Sequence, residues 1–137
     1  MKIRDIYIID DDPVFVTLLD FFAKKADFTG SPISFPNGNL AYEYFRKKYT
    51  LERDYILFLD LNMSFMNGWE FLSKIETFAN DSNTYVFIVT SSISREDEAR
   101  AKNNHYVLDF ISKPVTLEML ENIKLKIEVK KSKLESL

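Results

Sequence analysis

Short, nearly unbroken apolar runs alternate along this chain with stretches in which apolar residues recur every three or four positions. Ile6–Ile9, Tyr55–Leu59, Tyr85–Val89 and Tyr106–Ile111 are rich in Ile, Val, Tyr and Phe. Runs without polar alternation suit strands covered on both faces. SPISFP, Ser31 to Pro36, predicts a fifth strand. Its flanking prolines cannot donate ladder hydrogen bonds, which confines it to a short or edge position.

Between these runs the period is helical. Phe15, Leu18, Leu19 and Phe22 form one stripe; Phe71, Leu72, Ile75 and Phe78 form a second; Leu120, Ile123, Ile127 and Leu134 form a third. A further helix is predicted from Leu40 to Lys48. SREDEARAKN opens on Ser94 with Asp97 three residues on, the spacing of a capping box. That helix has few large apolar residues, so it is expected to dock loosely. Five β–α units in sequence imply a parallel sheet with helices on both faces. No internal repeat, low-complexity tract or linker interrupts them.

Composition narrows the class. The 137 residues predict one domain, 1–137, with room for a proper core. Apolar residues make up 46% and charged residues 28%, a globular balance. A net charge of −3 offers no basic field for nucleic acid. The absence of cysteine excludes disulfides and thiolate metal sites. The N-terminal apolar run is too short for a signal peptide, and no run approaches the ~20 residues of a membrane span. The expectation is a soluble, cytoplasmic protein that binds neither nucleic acid nor membrane.

The acids at the end of the first run demand a reason. IYIIDDDPVF carries Ile6–Ile9 straight into Asp10, Asp11 and Asp12. Two carboxylates ~4 Å apart repel by about 4 kcal/mol at an effective dielectric of 20. Asp12 is accounted for structurally: Pro13 fits the first position of a helix, and Asp12 fits the N-cap before it. Asp10 and Asp11 fall instead at the carboxyl end of strand one, where open α/β sheets bind ligands. The other strands end in complementary groups: Asp60 after the third, Thr90 on the fourth, Lys113 after the fifth. Asp10, Asp11 and Asp60 supply hard oxygen ligands for a cation such as Mg²⁺, which offsets their repulsion and neutralises an incoming phosphoryl group. Asp60 is placed to attack phosphorus and form an acyl phosphate, Lys113 to pair with phosphoryl oxygens, and Thr90 to donate a hydrogen bond to one of them.

Four blocks in order, IIDDDP, LDLNMSFMNGWEFL, VTSS and FISKP, each at a strand end, make the chain resemble a response-regulator receiver domain of two-component signalling. The resemblance implies a flavodoxin-like (βα)5 three-layer sandwich with a five-stranded parallel sheet of order 2-1-3-4-5. It implies that Asp10 and Asp11 are the acidic pair and Asp11 a direct metal ligand. Asp60 becomes the phosphoacceptor, and Asn62 the residue whose backbone carbonyl binds Mg²⁺. Thr90 becomes the switch hydroxyl, Lys113 the phosphate-pairing lysine, and Phe110 the aromatic switch. A cis Lys113–Pro114 bond is implied too. So are the partners: a sensor histidine kinase or histidine phosphotransfer protein as donor, a downstream protein, and a phosphorylation-dependent homodimer. Two positions depart from the family pattern. Ser64 stands where proline is common, and Asn67-Gly68 replaces Asp-Gly. Both changes bear on the rigidity of the Asn62–Gly68 loop and on phosphoryl lifetime.

The function expected is a phosphorylation-dependent signalling switch that catalyses its own phosphotransfer and dephosphorylation, rather than an enzyme, and one that changes the surface of helix 4, strand 5 and helix 5. Five strands and five helices fill the chain, which predicts a stand-alone receiver. Two alternatives stand beside it. A Mg²⁺-dependent aspartate-nucleophile phosphohydrolase of the haloacid-dehalogenase type places D-x-D on the first strand, whereas DLN here lies on the third. A degenerate receiver acting only as a binding module would not need the full set of Asp10, Asp11, Asp60, Thr90 and Lys113. His105, the single histidine, reads as a surface residue without a role. Tyr42, Tyr44, Phe45 and Tyr49 read as core and helix packing rather than a base-stacking platform, and the basic KLKIEVKKSK as a solvated helix end.

Overall fold

The computed structural model describes residues 3–28, 30–91 and 94–136. Ten elements alternate strictly: β1 (Ile3–Ile9), α1 (Pro13–Lys25), β2 (Ile33–Phe35), α2 (Gly38–Lys48), β3 (Arg53–Leu59), α3 (Gly68–Ile75), β4 (Thr84–Thr90), α4 (Arg95–Lys102), β5 (Val107–Ser112) and α5 (Leu117–Glu135). The strands form one sheet in the order β2-β1-β3-β4-β5, every neighbouring pair parallel. The alternation implied a parallel sheet, and the resemblance implied this flavodoxin-like order.

Side-chain alternation along each strand feeds two cores. Tyr7, Ile9, Tyr55, Leu57, Leu59, Val86 and Ile88 pack with Ala41 and Phe45 of α2, Phe71, Leu72 and Ile75 of α3, and Ala101 of α4. Ile6, Ile8, Ile56, Phe58, Tyr85, Phe87 and Val89 pack with Phe15, Leu19 and Ala23 of α1 and Leu120, Ile123 and Ile127 of α5. Burying both faces is what the continuous apolar runs required. β2 is short and at the edge, as its prolines demand. Phe45 is fully buried, its ring centroid 5.4 Å from Tyr7, 4.9 Å from Tyr55 and 5.2 Å from Phe78, so these aromatics are core.

Three helical expectations need correction. Leu18 lies outside the core, because Ala23 takes the next inward position and Leu18 shares an exposed strip with Val14 and Phe21. Leu134 is exposed, because α5 runs past the last core position at Ile127. At α4 the Ser94 hydroxyl accepts from the Asp97 N–H, but the Asp97 carboxylate is turned away to Trp69, so the box is not closed reciprocally. A closed box occurs instead on α3, between Asn67 and Glu70. The basic end of α5 is largely committed within the fold. Lys124 donates to Ala26 O, Lys130 to Asp81 O at 2.9 Å, and Lys131 pairs with buried Asp54 at 2.7 Å.

Candidate functional site

Strand order places the site. β1 and β3 are adjacent, and the Asp60 N–H donates to Ile9 O at 3.0 Å, so the chain leaves both strands side by side. Oxygen atoms of Asp10, Asp11 and Asp60 come within 4.8 Å of one another. Asp10 and Asp60 are buried and Asp11 is exposed. Asp12 caps α1, accepting from the Val14 N–H at 3.0 Å, and so is withdrawn from the cluster as expected. The Asp12 N–H in turn donates to Asp10 Oδ1 at 2.9 Å, which fixes the Asp10 carboxylate.

Lys113 arrives from the opposite side. Its N–H donates to Thr90 O at 2.9 Å, continuing the β4–β5 pairing one step beyond Thr90 and Ser112. The ammonium lies 2.8 Å from Asp10 Oδ2, 3.8 Å from Asp60 Oδ2 and 4.2 Å from the centre of the Phe15 ring. In this state the lysine is thus held mainly by Asp10. The contact is ionic; Asp10 Oδ2 makes no well-directed hydrogen bond. Burial, and after it the Asp10 charge, push the Asp60 carboxyl above its ordinary value, while Lys113 and the Asn62 N–H pull it back. Among the described residues, Lys113 is the one cation within ion-pair distance of Asp10 and Asp60, and Asp11 has none. A buried carboxylate oxygen without a directed donor, two further acids within reach and an exposed face at Asp11 fit a divalent cation with oxygen ligands. The Lys113–Pro114 bond is cis.

The loop after Asp60 is shaped by its backbone. The Asn62 N–H donates to Asp60 Oδ1 at 3.3 Å, and the Gly68 N–H to Leu61 O at 3.0 Å. A methyl group on Gly68 would stand 2.8 Å from Asp60 O and 2.9 Å from Leu61 Cα, so glycine is required there. Asn67 does the capping work an aspartate would do, which explains how this departure is accommodated. Ser64 is exposed, and Phe65 beside it is 91% exposed with φ of 71°, a left-handed conformation rare for an aromatic residue.

Thr90 is fully buried at the end of β4. Phe110, paired with Ile88 in the ladder, is half-buried against the core under α2 and α3. Ser92 of VTSS lies outside the described residues. The structure therefore brings Asp10, Asp11, Asp60, Thr90 and Lys113 to one sheet edge, with the Asn62 backbone beside them and Phe110 on β5, three residues before Lys113. Two features went unread in the sequence. One is the Asn67–Glu70 box, visible as N-x-x-E. The other is the Trp69–Asp97 hydrogen bond, for which sequence carries no local signal.

His105 does more than its surface position suggested. Its ring contacts Asp81 at 2.7 Å and Glu76, and both carboxylates raise its pKa. A raised cationic group adds stability that is complete below the ordinary imidazole value of ~6.5 and is lost as pH climbs through the raised one. The ring is nearly half-exposed, so solvent screens the effect. His105→Gln is expected to cost about 0.5 kcal/mol near pH 6 and progressively less as pH rises through the raised value, read by urea unfolding over a pH series. A cost that does not change with pH would show that the imidazolium is not the stabilising form.

The model of the response regulator receiver domain matches residues 6–124. No curated protein matches the chain. A two-component response regulator from Cytophaga hutchinsonii is similar at 27% identity, with a TM-score of 0.82 over 93% of this chain and 98% of that one. The signal receiver domain of a putative Luxo repressor protein from Vibrio parahaemolyticus gives 20% identity and a TM-score of 0.77, covering 97% and 95%. A CheY-like receiver domain protein from Methanospirillum hungatei JF-1 gives 20% and 0.72, covering 94% and 98%. The latter two bear on the fold. No helix among the described residues is long and apolar enough to cross a membrane.

Proposed function

The chain belongs to the response regulator receiver domain family, and we propose that it is a phosphorylation-operated switch in which Asp60 accepts a phosphoryl group with the help of Mg²⁺. The observation that carries this reading is the convergence of three carboxylates and one lysine at one sheet edge, with Asp60 buried among them. Asp10, Asp11, Asp60 and the Asn62 carbonyl would hold Mg²⁺, which supplies charge neutralisation for an incoming phosphoryl group. Asp60 attacks phosphorus, the donor's histidine nitrogen leaves, and an aspartyl phosphate remains. Lys113 then has a stronger anion to pair with than Asp10, and the Thr90 hydroxyl donates to a phosphoryl oxygen.

The donor is a histidine kinase or a histidine phosphotransfer protein. The signal leaves through α4, β5 and α5. Cavities of about 250 Å³ between α4 and β5 and about 480 Å³ between β5 and α5 both border Phe110, so β5 is not closely covered on either side at this residue. A downstream protein, or a second copy of the chain, would read that face. Phosphotransfer and its reversal by hydrolysis are the chain's own chemistry. We read the protein as one receiver domain acting in the cytoplasm.

Intact-mass measurement after incubation with acetyl phosphate and Mg²⁺ tests the reading. One phosphoryl group is expected on the wild type and none on Asp60→Asn. An unmodified wild type, or equal labelling of the variant, would overturn it. Sustained turnover of a generic phosphate ester would favour the phosphohydrolase instead.

A further inference from the structure

α4 buries only Ala101, yet its N-terminal turn has a definite anchor outside itself. The Trp69 Nε1–H donates to Asp97 Oδ1 at 3.0 Å, and the Arg100 guanidinium lies 4.5 Å from the centre of the Trp69 ring. Residues three apart on α4 thus bracket one indole from α3. Trp69 directly follows Gly68, the residue pressed against Asp60 O and bonded to Leu61 O. Between the phosphoacceptor's backbone and α4 every step is a direct contact: Asp60 and Leu61 to Gly68, the chain bond to Trp69, then the indole to Asp97 and Arg100. Trp69 and Asp97 also line one cavity of about 440 Å³ with Asp11, Asn62, Ser64 and Asn67, so the tether borders the open side of the acidic cluster.

We propose that Trp69 and Asp97 are positioning residues that tether α4 to the phosphoacceptor loop and loosen when Asp60 is phosphorylated. This forms a second route to the output face beside the one through Thr90 and Phe110. The proposal rests on the reading of Asp60 given above. A route of this kind needs an element with two arrangements that both ends bias. α4 is suited to that role. With one buried residue, it is held in place by this tether and by the β5 contact rather than by a core of its own. It also explains why the Asp97 carboxylate is not used to close its own capping box. A closed box would stabilise α4 alone, whereas the bond to Trp69 makes its position depend on α3 and on the loop before it.

Trp69 is the single tryptophan, so the chain reports on its own tether. The experiment uses the full chain at constant Mg²⁺, with and without beryllofluoride, reading tryptophan emission and amide exchange in residues 95–102. Beryllofluoride is expected to shift the emission and speed exchange in the wild type. Asp97→Ala should speed exchange in the resting state about tenfold, as loss of one charge-assisted hydrogen bond implies, and shrink the further change. Trp69→Phe, which keeps an aromatic ring under Arg100 but removes the donor, should do the same to exchange. Asp97→Asn, whose amide oxygen still accepts from the indole, should restore wild-type behaviour. That rescue separates a tether from mere packing. If beryllofluoride binds, followed by fluorine NMR, yet emission and α4 exchange stay unchanged, the tether proposal falls and the assignment of Asp60 survives. The proposal also falls if Asp97→Ala and Asp97→Asn behave alike. Failure of beryllofluoride to bind would overturn the reading of the site and this proposal together.

Discussion

Lys113→Met is expected to lower stability by about 3 kcal/mol in metal-free buffer at pH 7. The side chains of Asp10 and Asp60 are 1% and 8% exposed, and Lys113 is their only cation within ion-pair distance among the described residues. Removing one partner of a buried ion pair leaves uncompensated charge, which costs about 3–5 kcal/mol where burial is complete. The lower end applies here, because Asp11 opens the cluster to water and Lys113 is itself 16% exposed. Methionine preserves most of the contact with Phe15, so the loss isolates charge from packing. Mg²⁺ should then recover more stability in Lys113→Met than in the wild type, since the ion replaces the missing counter-charge and binds only the folded site. Urea unfolding with and without Mg²⁺ checks both statements. A variant as stable as the wild type without metal would mean that the two buried acids do not depend on Lys113.

Most of the architecture was legible because burial on two faces leaves a plain mark: Ile6–Ile9, Tyr55–Leu59 and Tyr85–Val89 have no polar face to hide. The site residues were legible because each ends a strand, and parallel strands deliver their ends to one edge. What escaped was set by contacts between elements. Leu18 and Leu19 share one stripe in sequence, but helix rotation decides which of them is covered, and here Leu19 is buried and Leu18 is 39% exposed. Asp97 satisfied a local capping pattern, yet an indole 28 positions earlier in the chain competed for its carboxylate and won. The partner of Lys113 was also beyond reach of pattern reading. Residue types suggested a phosphate ligand, whereas the geometry without phosphate pairs the ammonium with Asp10. His105 illustrates the same limit: only the fold brings Glu76 and Asp81 to its ring.

Asp11→Ala is expected to slow phosphorylation by acetyl phosphate about a thousandfold while leaving the fold intact. The reasoning starts from exposure. Asp11 is the one acid of the cluster on the open side, so it does little for the core and is best placed to receive a partly hydrated cation. A metal that neutralises a phosphoryl group contributes several kcal/mol to the transition state, and each ~1.4 kcal/mol lost is tenfold in rate. Stability should move the other way, or hardly at all. Removing one of three crowded carboxylates relieves repulsion, but solvent at Asp11 screens most of it, so the metal-free melting temperature should match or slightly exceed that of the wild type. The two halves of the prediction discriminate between roles. If Asp11 were a structural acid like Asp12, whose carboxylate caps α1, its loss would lower the melting temperature and spare the reaction. If it ligates the ion, the rise in melting temperature that Mg²⁺ produces in the wild type should vanish in Asp11→Ala together with phosphorylation. Retained Mg²⁺ stabilisation in the variant, with phosphorylation at the wild-type rate, would remove Asp11 from the metal site and leave Asp10 and Asp60 to hold the ion.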